Sequence, residues 1–160
     1  MVIRYILKTV AWNALGFLFV MFLASCDLET SKNGDLDGFW HLESVDSIAT
    51  GHTEDMTKLH VFWGVEHKLI AARETDGKCN ERFYFRFEQT SDSLTITKAY
   101  FDHGHQDRGD DGGDIPVEEI TADLRYFGIN HLPEGFKKEA LDGNKMILAS
   151  KTLRLKFKKF

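Results

Sequence analysis

The feature that most constrains this chain is an alternation of apolar and polar residues with a period of two. Phe83, Phe85 and Phe87 alternate with Tyr84, Arg86 and Glu88. Leu94 and Ile96 alternate with Thr95 and Thr97, and Leu153, Leu155 and Phe157 with Arg154, Lys156 and Lys158. Leu59, Val61 and Trp63 alternate more weakly with His60 and Phe62. A helix cannot hold such sets on one side, whereas a strand with one buried face requires them. The alternation predicts eight strands, over 38–46, 57–64, 67–73, 82–89, 93–100, 136–141, 145–150 and 152–159. Short polar links separate them. Asp142-Gly143 reads as a type I′ hairpin turn, which needs positive φ at both central positions. Only two prolines occur, Pro116 and Pro133, both outside the predicted strands, as ladder hydrogen bonding demands.

Successive antiparallel strands joined by short turns predict an all-β, up-and-down barrel, since closure removes the exposed edges. One segment departs from the pattern. Val117, Ile120, Leu124 and Phe127 fall on one helical face, with Pro116 suited to the first turn and Gly128 to the end. The expectation is one short helix lying on the barrel or covering one mouth.

The N-terminus follows a different logic. Residues 1–25 hold Arg4, Lys8, no acid and an apolar run from Val10 to Leu23. At about 14 residues the run is short of the roughly 20 needed to span a bilayer. A basic stretch, an apolar run and small residues read as a secretory signal peptide. Leu23-Ala24-Ser25-Cys26 resembles the bacterial lipobox, which implies cleavage before Cys26 and acylation of that residue. The membrane partner would then be engaged through acylated Cys26, in a Gram-negative envelope and at its outer membrane. Residues 26–37 are polar and unpatterned and read as a flexible tether, leaving 38–160 as the barrel domain. Without residues 1–25 the formal charge moves from −5 to −7. Such a chain lacks the clustered bases that nucleic-acid binding needs.

Gly38-Phe39-Trp40, at the start of the first strand, resembles the Gly-x-Trp signature of the lipocalin and calycin families. The run Phe127-Gly128-Ile129-Asn130, Lys145-Met146-Ile147-Leu148 and Leu153 to Phe157 resembles the end of bacterial lipocalin-like lipoproteins of unassigned function. The resemblance implies that Trp40 packs at the closed end of the barrel under a base from the last strand. Arg154 is the candidate, although if Leu153, Leu155 and Phe157 face in, Arg154 faces out. It also implies a non-enzymatic protein with no cofactor, whose interior either fills with side chains or holds one small apolar or amphipathic ligand. The residues expected to line that interior are Trp63, Phe83, Phe85, Phe87, Leu94, Ile96, Leu153 and Leu155. The alternative is an envelope interaction module with a packed barrel and a protein partner that the sequence does not name.

Two further features carry chemistry. Asp102 to Asp114 holds five Asp and two His, and His103, His105 and Asp107 are candidate metal ligands. The spacing matches no EF-hand, and four glycines make ordering costly, so a solvated loop is the competing reading. Cys79 has no intramolecular partner once Cys26 is acylated, which leaves an inert thiol, a nucleophile awaiting a base, or a covalent dimer contact.

Overall fold

The computed structural model describes residues 30–79, 81–102 and 115–160. The leader, Cys26, His103, His105 and Asp107 lie outside these residues. Ten strands form in chain order: β1 (Gly38–Ser47), β2 (Thr53–Asp55), β3 (Val61–Glu66), β4 (Leu69–Glu74), β5 (Phe83–Gln89), β6 (Ser93–Phe101), β7 (Ile115–Pro116), β8 (Glu134–Leu141), β9 (Lys145–Ala149) and β10 (Leu153–Lys159). One helix, α1 (Ala122–Tyr126), separates β7 from β8.

Eight of the strands run in the order β1-β3-β4-β5-β6-β8-β9-β10, and β10 pairs back onto β1. The predicted eight-stranded antiparallel barrel is therefore the observed one. β2 adds to the second half of β1, and β7 to the second half of β6, where the main ladder has moved away.

Three register shifts explain how a strictly alternating code survives in strands this long. They fall between Leu42 and Ser44, between Lys138 and Ala140, and at Thr97, where Arg86 pairs with Lys98 but Phe87 with Ile96. An extra residue flips the phase of everything beyond it. At Thr97 the flip puts Ala99 inside rather than Lys98, and the Thr97 hydroxyl donates to the Arg86 carbonyl at 3.2 Å.

The predicted strand 57–64 begins later, at Val61. Asp55 accepts from both the backbone N–H and the hydroxyl of Thr57, and Leu59 N–H donates to the Met56 carbonyl. That turn occupies the backbone until the ladder starts. The β8–β9 hairpin also differs from expectation. Asp142 N–H donates to Lys145 O, so Gly143 and Asn144 are central, and neither has positive φ. The Asp142 carboxylate accepts from the N–H groups of Asn144 and Lys145 instead. The helix is shorter than the apolar spacing suggests. The Thr121 hydroxyl caps it by accepting from Leu124 N–H at 3.1 Å, while Pro116 stays extended against Tyr100.

The tether expected over 26–37 gives way to ordered structure at its C-terminal end. Gly34–Leu36 forms a 3-10 turn that buries Leu36 completely. Ser31, Asn33 and Asp37 form a hydrogen-bonded cluster, and Asn33 Nδ2 and Ser31 Oγ engage the backbone of His67 at the β3–β4 turn. His67 sits at φ 52, a strained value for a non-glycine residue, and these two bonds hold it there.

The turn also seals one end of the barrel. Trp40 is fully buried and its indole N–H donates to the Leu36 carbonyl at 2.8 Å. Lys159, not Arg154, lies over the Trp40 ring, with Nζ 4.9 Å from the centroid. Lys159 shares the parity of Leu155 and Phe157 and is the register partner of Trp40. Arg154 faces out and forms a forked pair with Glu139 at 2.7 and 3.1 Å. Gly38 has φ +128, and a Cβ there would fall 2.5 Å from Lys159 Cε. Gly38→Ala should therefore cost about 1–3 kcal/mol of stability, as strained backbone does. Gly143→Ala, with no neighbour within 4 Å of the added Cβ, should stay within about 0.5 kcal/mol of wild type. Parallel urea titrations compare the two, and equal midpoints would remove the role given to Gly38.

Candidate functional site: the barrel interior and its far end

The inward apolar residues of the strands form one buried cluster, with Glu74, Glu134 and Lys159 as polar members near its ends. Of the eight residues expected there, Trp63, Phe83, Phe85, Phe87, Leu94, Ile96 and Leu155 are buried, and Leu153 is partly buried against them. Their parity on β3, β5, β6 and β10 brings them to one interior. Trp63 is central: its ring lies 5.8 Å from Phe85, 6.5 Å from Phe136 and 4.9 Å from Phe157. The first two contacts are edge-to-face, the arrangement aromatic quadrupoles favour. Phe136 belongs to β8, whose sequence does not alternate cleanly, so its place beside Trp63 was not expected from the pattern.

Trp63 Nε1 is buried and has no hydrogen-bond partner among the described residues. An indole N–H is a donor only, and leaving one unmet in an apolar interior costs about 1–3 kcal/mol. It is a polar point among the aromatic rings of Phe85, Phe136 and Phe157.

The end of the barrel opposite Trp40 is built differently. Leu124 of α1 and Phe127 and Ile129 just after it are fully buried, and the Phe127 ring meets Phe83 edge-on at 5.7 Å. Gly128, at φ +86, lies where a Cβ would strike Leu155 at 2.7 Å. Two buried carboxylates hold the surrounding loops. Glu74 accepts from the N–H groups of Asp76, Lys78 and Cys79, and Glu134 from those of Asn130 and His131. The sequence does not mark either as internal. Their positions at the ends of β4 and β8, on the inward phase, were the available signal.

Beside Glu74 sit Cys79, Asp123 and Tyr126. The Cys79 thiol donates to Asp123 Oδ1 and to the Glu81 carbonyl, each at 3.6 Å. Burial pushes this thiol up to about 11, and the Asp123 carboxylate adds to the effect. Burial likewise pushes the Tyr126 hydroxyl up to about 12, helped by Glu74, and its oxygen has no hydrogen-bond partner among the described residues. Of the three readings of Cys79, this geometry favours the inert thiol, because a nucleophile needs thiolate. His60 pairs with Asp76 on the exposed rim, away from Cys79 in hydrogen-bonding terms. Among the described residues, no group of three or more His, Cys, Asp or Glu is placed to hold a metal ion.

A closed eight-stranded barrel, a Trp buried at one end after Gly-x-Trp and a base over that Trp decide the relationship. The sequence matches the lipocalin-like domain model over residues 20–160. The chain belongs to the lipocalin-like domain family. Two solved structures share the lipocalin-like fold. One is a lipocalin-like protein from Bacteroides uniformis, at 20% identity and TM-score 0.55, covering 79% of this chain and all of that one. The other is an uncharacterized protein from Bacteroides eggerthii, at 17% identity and TM-score 0.52, covering 78% of this chain and 98% of that one. No curated protein matches the sequence.

The raised thiol gives a direct check on the far end of this lipocalin-like barrel. In the native protein at pH 8, iodoacetamide should modify Cys79 at least about 100-fold more slowly than in urea, where an ordinary thiol titrates near 8.5. The native rate should climb as pH approaches 11. Equal rates in both states, read on the Cys79 peptide by mass spectrometry, would show that the thiol is not held protonated.

Proposed function

We propose that this protein is a lipid-anchored binding protein of the bacterial envelope. It takes one small, largely apolar ligand inside the barrel and performs no covalent chemistry on it. The observation that carries the reading is the unpartnered indole N–H of Trp63, buried among Phe85, Phe136 and Phe157. An oxygen acceptor on an otherwise hydrocarbon ligand would satisfy that donor while the aromatic wall covers the rest. Ligand sites of this kind are mostly apolar, with a few placed polar groups that fix orientation. The protonated Cys79 and the loop-holding roles of Glu74 and Glu134 support binding rather than catalysis.

The anchor in this reading is Cys26, acylated after cleavage of residues 1–25, with the domain outside the cytoplasm at the outer membrane. The Leu-Ala-Ser-Cys order at 23–26 supports it.

Native mass spectrometry of the protein purified from its own membranes tests the binding claim. A non-covalent small molecule should leave with unfolding. Trp63→Phe keeps the aromatic bulk but removes the donor, and should weaken displacement of N-phenyl-naphthylamine by the recovered compound about threefold to tenfold. A bare protein that also fails to bind N-phenyl-naphthylamine would favour the packed barrel acting as an interaction module.

A further inference from the structure

The outer wall of the barrel carries an aromatic and basic face at its Trp40 end. We propose that this face, formed by Phe39, Phe160, Lys145 and Lys158, rests on an anionic phospholipid surface. The inference extends the anchored reading above and rests on it for the direction in which the barrel is held.

The face follows from cross-strand register. Lys145 on β9 is opposite Lys158 on β10, Lys158 is opposite His41 on β1, His41 opposite Phe62 on β3, and Phe62 opposite Arg73 on β4. All five point outward, because their chain neighbours Met146, Phe157, Trp40, Trp63 and Ala72 are buried inside. Lys145 and Lys158 are therefore directly opposed like charges, a destabilising arrangement on a sheet. Among the described residues neither has a carboxylate within ion-pair distance, unlike Lys156, which pairs with Asp46 at 2.8 Å. The acids near this face are Glu43, bonded to His41, Asp142, whose carboxylate accepts backbone N–H groups in its turn and feels the Lys145 charge, and Glu66, exposed at the β3–β4 turn; none of them forms an ion pair with Lys145 or Lys158. An anionic surface would relieve the opposition.

Apolar surface lies beside the charges. Phe39 stacks on Phe62 at 4.6 Å, and Phe160 meets Phe62 at 5.4 Å and Phe39 at 6.2 Å. Phe160 N–H donates to the Phe39 carbonyl, which fixes the last residue on this wall. Gly64 leaves room for the Phe39 ring, which a Cβ would touch at 3.4 Å. Phe62 is covered by its neighbours, but Phe160 remains 85% exposed and Phe39 36%. Aromatic rings flanked by lysines suit the interfacial zone of a bilayer, where one part is apolar and the other wet.

The direction of the chain selects the same end. Ser31 is bonded to His67 at the β3–β4 turn, at the Trp40 end of the barrel. Four residues lie between Cys26 and Ser31, so five Cα–Cα steps span at most about 17 Å. An acyl anchor at Cys26 thus brings this end, and not the other, to the lipid. The opposite end also exposes Ile48 and Ile115, but there Asp55, Asp76 and Asp123 stand beside Lys58, Lys78 and Arg125, with Glu54, Glu118 and Glu119 as further acids. That end offers an anionic surface no opposed pair of lysines, and in this reading α1 and its end of the barrel face the aqueous phase.

The test uses the full lipidated chain in phosphatidylcholine vesicles with phosphatidylglycerol. A fluorophore is placed on Asn144→Cys at the Trp40 end or on His52→Cys at the far end. Spin-labelled lipid should quench the first strongly, and aqueous iodide the second. Equal quenching of the two would overturn the proposal even with acylation intact. The Lys145→Glu, Lys158→Glu, Phe160→Ser variant should lose the lipid quenching at 144 while keeping its melting temperature. If mass spectrometry shows Cys26 without acyl chains, the anchored reading fails on its own. The face is then judged by sedimentation of the full chain with the same vesicles. Pelleting that requires phosphatidylglycerol and falls about fivefold with each charge reversal supports it. No pelleting overturns it.

Discussion

The indole of Trp40 is the point on which the barrel depends. Its ring is fully buried on the inward phase of β1, between its register partners Lys159 on β10 and Trp63 on β3. Its buried N–H donates to the Leu36 carbonyl at 2.8 Å. That bond in turn brings in the 3-10 turn, which buries Leu36, and fixes the path of the chain from Ser31 onward. Lys159 then covers the ring from β10 and donates to the Asp35 carbonyl at 3.2 Å. Because Trp40 is on the first strand and Lys159 on the last, one contact joins the two edges that must meet for the sheet to close.

Closure also depends on phase. Each long strand would carry its alternation through to the wrong face without correction, and the irregularities near Glu43, Thr97 and Glu139 make that correction. The one near Glu139 explains an outer contact as well as an inner one. It brings Leu141 opposite the buried Met146 and leaves the Glu139 carboxylate outside, where Arg154 clasps it and holds it below the usual carboxylate range. The same parity that fills the interior with Phe and Leu thus orders the charges outside.

Much of this was legible in the residues. Phe83, Phe85 and Phe87, and Leu94 with Ile96, announced buried faces because a two-residue period has one structural meaning. Gly38 and Trp40 pointed to the closed end through the resemblance. What was not legible depended on partners far away in sequence. Lys159 takes its place over Trp40 from the register of β10 against β1, while the resemblance pointed to Arg154. Ser31 to Asp37 looked like a tether because its order comes from His67 and Trp40, not from any local pattern. The helix was overread because Val117 and Ile120 are apolar for packing reasons, while the Thr121 cap sets where the helix starts. The unmet donor of Trp63 could not be read at all, since satisfaction is a property of surroundings.

The central claim is that β1 and β10 close the sheet around the Trp40 contact. Hydrogen exchange of individual amides tests it most directly. The ladder predicts that the N–H groups shared by Gly38–Ser47 and Leu153–Lys159 exchange only through global unfolding, as slowly as those of β5 and β6. Rapid exchange confined to β1 and β10, with the middle strands protected, would describe an open sheet and contradict the account.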